Sequence, residues 1–213
     1  MYFARSKHNA RSSNLVLDIL KRFVVVAAAL GFLHPCCLLA DEIEPQDNYQ
    51  IVSHLSLGDA QKKIFPQADQ VLEIRISLDP DQAKQVEARV GHPLLQKDYT
   101  VYVGKQQGKT LGYAIVDDEI GKYRPITSMI GINPEGRVLG VAIMVYRESR
   151  GGEVAHKRFL NQYVGKTNQD PIRVRQDIVS ITGATLSVRA VSTQVRKALA
   201  IVEEVFLKRG SKQ

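Results

Sequence analysis

The chain has 213 residues, 44% of them hydrophobic, with 29 Lys/Arg against 22 Asp/Glu for a formal net charge of +7; that is enough for one domain with a sizeable core. Residues 1–40 hold five of the basic side chains and one acidic one, so the remainder carries 24 basic and 21 acidic side chains. A net of +3 with no arginine stripe or interleaved aromatic row speaks against nucleic acid as a partner. Both cysteines, Cys36 and Cys37, lie in the first forty residues. A domain beginning at Asp41 therefore has no disulfide, iron–sulfur cluster, thiolate zinc site or thioether-linked haem.

Lys21-Arg22 precedes Phe23–Ala40, an uncharged apolar run with a small residue just before the acidic Asp41-Glu42-Ile43-Glu44-Pro45. This reads as a secretory signal peptide with cleavage after Ala40, the alternative being an uncleaved membrane anchor. Pro35 and His34 interrupt the run where a spanning helix wants leucines. Either way the folded part lies outside the cytoplasm. Residues 41–54 are an acidic, polar lead-in, and the domain proper extends over 55–209.

Leu55–Phe65 predicts a short helix closed before Pro66. A second helix follows, with Asp79 as N-cap, Pro80 at the first helical position and Gly91 as terminator. The period then changes to two. Tyr99–Gly104 and Leu111–Asp117 form one hairpin; Pro125–Ile132 and Arg137–Arg147 form another around Asn133-Pro134-Glu135-Gly136, whose proline and glycine suit a type I turn. Glu153–Gly165 returns to helical spacing, Ile178–Ile181 reads as a short strand, and the last helix runs from about Thr185 to Arg209. Its Val188, Val191, Val195, Leu199, Val202 and Phe206 form one apolar stripe. The expected class is α+β: an antiparallel sheet of about four or five strands packed with helices, ending in an amphipathic C-terminal helix.

Asp177–Arg189, DIVSITGATLSVR, places three hydroxyls, Ser180, Thr182 and Thr185, around Gly183-Ala184 where a β-branched run meets that helix. Two readings fit. A helix N-terminus with so little side-chain bulk lets a phosphate reach the backbone N–H groups; alternatively Ser180 or Thr182 caps the helix and Gly183 relieves a tight turn. Other chemistry is thin. The Walker string GxxxxGK[ST] and the dinucleotide string GxGxxG are both missing, and His54, His92 and His156 lie more than twenty residues from Thr185, without metal-ligand spacing.

Asp177–Thr185 resembles the flavinylation signature of the FMN-binding domain family, found in the extracytoplasmic flavin subunits of the Rnf complex and the sodium-pumping NADH:quinone reductase. Phe65–Asp69, Gly121–Val154 and Arg158–Lys166 are also similar to family segments, in the family's order. The resemblance implies that a flavin transferase takes FMN from FAD and joins its phosphate to the hydroxyl of Thr185. It places Asp177, Ser180, Thr182, Gly183 and Ala184 in the cofactor site. It also turns the loop of Tyr146, Arg147, Glu148, Gly151 and Gly152 toward the flavin, with Tyr146 or Tyr123 packing on the ring and the glycines admitting it. Many relatives read closer to ETPGLG where this chain has Glu148-Ser149-Arg150-Gly151-Gly152. The expected protein is an extracytoplasmic electron carrier with covalent FMN and a membrane electron-transfer partner. The competing expectation is a module that binds FMN or another phosphorylated ligand noncovalently, without a redox role.

Overall fold

The computed structural model describes residues 52–208. The expected leader, its cleavage point after Ala40 and most of the lead-in lie outside the described residues.

Helix α1 (Leu57–Ile64) starts where the Ser56 side chain accepts from the Asp59 N–H, and Phe65 closes it before Pro66. Helix α2 (Pro80–Val90) has a complete capping box: Asp79 Oδ1 accepts from the Gln82 N–H at 2.8 Å and Gln82 Oε1 from the Asp79 N–H at 3.1 Å. Gly91 ends it, as expected.

Six strands form one antiparallel sheet: β1 (Val52–Ser53), β2 (Gln70–Ser77), β3 (Asp98–Gln106), β4 (Lys109–Ile120), β5 (Pro125–Ile132) and β6 (Val138–Tyr146), in the spatial order β1-β6-β5-β4-β3-β2. The two expected hairpins are β3–β4 and β5–β6. The turn of the latter is closed by the Gly136 N–H donating to the Asn133 carbonyl at 3.0 Å. Both edge strands go beyond the expectation. Gln70–Ser77 alternates Leu72, Ile74 and Ile76 with Glu73, Arg75 and Ser77, and all eight residues pair with β3. The end of the lead-in pairs with β6, Val52 opposite Tyr146.

Two segments depart from the expected elements. Glu153–Gly165 is not one helix but a 3₁₀ turn (Gly152–Ala155), a single α turn α3 (Lys157–Leu160) and a second 3₁₀ turn (Asn161–Tyr163). His156 is extended there, at φ −67° and ψ 135°, and no side chain caps the turn that follows. Ile178–Ile181 is not a strand. Its only ladder contact is a parallel bridge from Ile178 to Val174, because the Arg173 carbonyl already takes the N–H groups of Gln176, Asp177 and Ile178.

Helix α4 (Thr185–Val202) begins at the expected residue and continues as a π turn over Glu203–Leu207. Its apolar stripe packs on one sheet face beside α2, in a core holding Val101, Ile115, Ile130, Val188, Val195 and Leu199. Helix α1 covers the other face with Ile64 and Phe65 over Ala114, Met129 and Ala142. With both faces covered, the sheet fixes the β4–β5 turn and the chain leaving β6 against the start of α4.

Candidate functional site

Helix α4 opens without a side-chain cap. Its N-cap position is Ala184, at φ −122° and ψ 20°, and the Val188 N–H donating to the Ala184 carbonyl at 3.0 Å is the first full helical bond. Neither candidate cap takes the role: Ser180 Oγ pairs with Thr185 Oγ1 at 3.2 Å, and Thr182 is exposed. Gly183 does relieve the turn, at φ +79°, a conformation that L side chains rarely adopt. The result is a helix start with small residues, leading N–H groups that no side chain satisfies, and a positive dipole end.

A cleft of about 610 Å³ faces this start, with Lys122, Tyr123, Arg150, Thr185 and Leu186 on its walls. The β4–β5 turn delivers Lys122 and Tyr123, and Glu148 holds that turn in place. The residue is 8% exposed, and its Oε1 accepts from the backbone N–H groups of Lys122, Tyr123 at 2.7 Å and Arg124 at 3.0 Å. A Cβ on Gly121 would stand 2.7 Å from that oxygen, so the turn needs glycine for the carboxylate to enter. Lys122 Nζ lies 4.6 Å from the centroid of the Tyr123 ring, which is 68% exposed.

The chain leaving β6 is locked to α4 from below. Tyr146 is buried; its Oη donates to the Arg150 carbonyl and pairs with Ser187 Oγ at 2.9 Å. Burial pushes its phenol pKa up, opposed by the Ser187 hydrogen bond. Gly151 is left-handed at φ +89°, and a Cβ there would meet the Ala184 Cβ at 2.7 Å. The loop thus rests on the small residue of the motif, and the Gly151 identity follows from that contact. Gly152 lines an adjoining cleft, also about 610 Å³, together with His156, Thr182 and Gly183.

Two expected site residues face elsewhere. Arg147 Nη1 donates to the Pro125 carbonyl at 3.1 Å and to Thr127 Oγ1 at 2.8 Å, stapling β6 to β5. Asp177 fastens the loop before the motif: Lys166 Nζ donates to it at 2.8 Å, the Arg173 N–H at 2.8 Å and the Ile172 N–H at 3.1 Å. Burial alone would raise its pKa, but the Lys166 hydrogen bond and the two backbone donors outweigh it and hold the carboxyl below the usual range.

The structure therefore gathers Thr185, Gly183, Ala184 and Glu148 at the first cleft, with Ser180 hydrogen-bonded to Thr185, and places Thr182, Gly151 and Gly152 at the second. Arg150 of the expected loop lines the first cleft, and Lys122, Leu186 and Ser187, which were not expected there, line it too. Lys122 stands sixty-three residues before Thr185. Only the register that sets Ile120 opposite Pro125 brings its turn to the helix, and no local pattern signals this. Chemically, an uncapped helix start beside a lysine, an arginine and a hydroxyl suits a phosphate. Exposed Tyr123 and Leu186 add surface for a flat apolar ring, and the cleft has the volume of an ordinary ligand site.

Residues 121–200 match the FMN-binding domain family, a span that includes every residue of both clefts. The chain is 25% identical over 136 residues to a subunit of the Na(+)-translocating ferredoxin:NAD(+) oxidoreductase complex of Acetobacterium woodii, covering 58% of this chain and 66% of that one. It is 32% identical over 120 residues to a subunit of the ion-translocating oxidoreductase complex of Vibrio cholerae, covering 51% and 57%. The chain thus spans between about half and two thirds of the length of these curated relatives. A crystal structure of Shewanella oneidensis NqrC superposes with a TM-score of 0.49 at 16% identity, over 92% of this chain and 98% of that one.

Proposed function

Residues 121–200 belong to the FMN-binding domain family, and from that premise we propose that this chain is an extracytoplasmic electron-transfer flavoprotein carrying FMN through a phosphoester to Oγ1 of Thr185. The observation that carries the reading is the uncapped start of α4, with Thr185 at its first position and Lys122 and Arg150 on the same cleft. A phosphodiester there keeps one negative charge, which the helix dipole alone stabilises by about 0.3–1 kcal/mol. Ser180 Oγ, 3.2 Å from Thr185 Oγ1, orients the hydroxyl. Gly183 and Ala184 keep side chains away from the phosphate, Glu148 fixes the turn bearing Lys122 and Tyr123, and Tyr146 fixes the loop bearing Arg150.

FMN, when bound, supplies the redox chemistry, and the chain supplies orientation and electrostatics. Attachment needs a flavin transferase: the anhydride of FAD breaks, AMP leaves, the ester forms at Oγ1 and the hydroxyl loses its proton. Covalent linkage suits a compartment where free FMN would diffuse away, in keeping with the apolar run Phe23–Ala40 as a cleaved signal or retained anchor. The relatives carry names of complex subunits, which supports a membrane electron-transfer partner.

Flavin fluorescence on a denaturing gel tests the reading, with full-length protein exported from a host that supplies the transferase. Wild type, Ser180→Ala and Thr182→Ala bands are expected to fluoresce and Thr185→Ala to stay dark. Flavin that copurifies with wild type but leaves on denaturation would replace the covalent carrier with a noncovalent binder.

A further inference from the structure

One to three turns of α4 beyond Thr185 lies a separate cavity of about 360 Å³, with Arg173, Gln176, Arg189, Ser192, Thr193 and Arg196 on its walls. Arg196 is 8% exposed and unusually bound. Its guanidinium donates only to neutral groups, from Nη1 to the Ile172 carbonyl at 3.0 Å and from Nη2 to the Val90 carbonyl at 3.3 Å and Thr193 Oγ1 at 3.0 Å. Its Nε is the one buried side-chain donor among the described residues that lacks a partner. No carboxylate forms an ion pair with Arg173, Arg189 or Arg196 among the described residues, and Arg173 and Arg189 bring two further exposed cations to the same cavity. A buried cation without a counter-charge is costly, and more so beside others of its sign. Burial pulls the Arg196 pKa down, and the charges of Arg173 and Arg89 pull it further, against a smaller opposing pull from Glu119, which forms no ion pair with it. Thr193 accepts from Arg196 and keeps its own proton to donate.

We propose that this cavity is an anion site for a phosphate-class oxyanion, distinct from the flavin cleft, with Arg173 and Arg189 closing on the ligand above Arg196 and Thr193. Planar guanidinium groups with several N–H donors match such an oxyanion, and one bound dianion would compensate cations that the fold leaves uncompensated. Free phosphate and the phosphodiester of an anionic lipid headgroup share this chemistry. The site does not depend on flavin attachment, since no residue of it lines the Thr185 cleft.

Thermal unfolding of the full chain, with inorganic phosphate against chloride at matched ionic strength, tests the site. A ligand bound only by the native state raises Tm with its concentration. Wild type and the flavin-cleft variant Lys122→Ala/Arg150→Ala are both expected to shift upward. Arg173→Gln/Arg189→Gln, both exposed positions, is expected to bind at least about tenfold more weakly. Cosedimentation with phosphatidylglycerol vesicles, with phosphatidylcholine vesicles as blank, separates the sources: capture lost in Arg173→Gln/Arg189→Gln assigns a lipid headgroup, and a phosphate shift without capture assigns a soluble ligand. No response of wild type to either probe, or a response that disappears in Lys122→Ala/Arg150→Ala and survives in Arg173→Gln/Arg189→Gln, overturns the proposal.

Discussion

At the Thr185 end of helix α4 no side chain caps the backbone donors, and Lys122 and Arg150 face a cleft without forming an ion pair among the described residues. Farther along the same helix, where it meets β4 and β5, the polar groups are closed. Gln194, fully buried, donates to the Asp117 carbonyl at 2.7 Å and the Ile126 carbonyl at 2.8 Å and accepts from Ser128 Oγ at 2.6 Å. One turn on, Lys197 Nζ donates to Asp117 at 2.9 Å and Glu119 at 3.0 Å. Buried polar groups that are fully paired fasten the helix to these two strands. The end left open is where a ligand can supply the missing partner. One helix thus divides the work, anchoring through the face it turns to β4 and β5 and presenting through its start.

Breaking the anchored region has the largest expected effect. Asp117→Ala leaves Lys197 with only Glu119 and should cost about 3–5 kcal/mol in denaturant unfolding, as for other broken buried pairs. The same carboxyl gives a pH signature. Burial, with Glu119 and Asp118 adding to it, overrides Lys197 and pushes the Asp117 pKa up from 3.8 to about 6. The folded state therefore holds this proton over a window where the unfolded state has released it. The Asp117 contribution is complete below pH 3.8 and falls as pH rises to about 6. Subtracting the Tm profile of Asp117→Asn from that of wild type should isolate this decline; a flat difference over the window would contradict it.

The next effects fall on the scaffold of the open end. Glu148→Ala strands three backbone donors and should cost roughly 3 kcal/mol, with flavin loading reduced because the Lys122–Tyr123 turn loses its support. Gly151→Ala forces a left-handed residue and a Cβ contact of 2.7 Å with Ala184. A cost of about 2 kcal/mol is expected by denaturation, from the left-handed backbone and overpacking together. Ser180→Ala removes a single hydroxyl pair and should change stability by less than about 1 kcal/mol, while slowing flavinylation. A Ser180→Ala protein modified at the wild-type rate would take Ser180 out of the orienting role.

The contrast between the two regions also marks what could be read from the residues. Caps and turns are local, so the Asp79 N-cap, the Asn133–Gly136 turn and the start of α4 at Thr185 were legible, as was the apolar stripe that seats the helix. Elements defined by distant partners were not. Gln70–Ser77 becomes a strand because β3 offers it an edge, and Ile178–Ile181 fails as one because Arg173 takes its neighbours' N–H groups first. Within the site, Thr185 and its small neighbours were visible in the motif. The work of Glu148 and Tyr146 was not, since Glu148 acts on backbone, and Tyr146 on Ser187, more than twenty residues away, and the family resemblance alone turned them toward the flavin. Arg147 and Asp177 fasten loops beside the site, a role that only the fold distinguishes from ligand binding.

The most direct measurement is intact mass under denaturing conditions, on wild type beside Thr185→Val, both exported from cells with an active flavin transferase. The account expects wild type heavier by one FMN less one water and Thr185→Val at its bare mass. An unmodified wild type, with a control substrate modified in the same cells, would contradict it and leave the uncapped start of α4 without its covalent ligand.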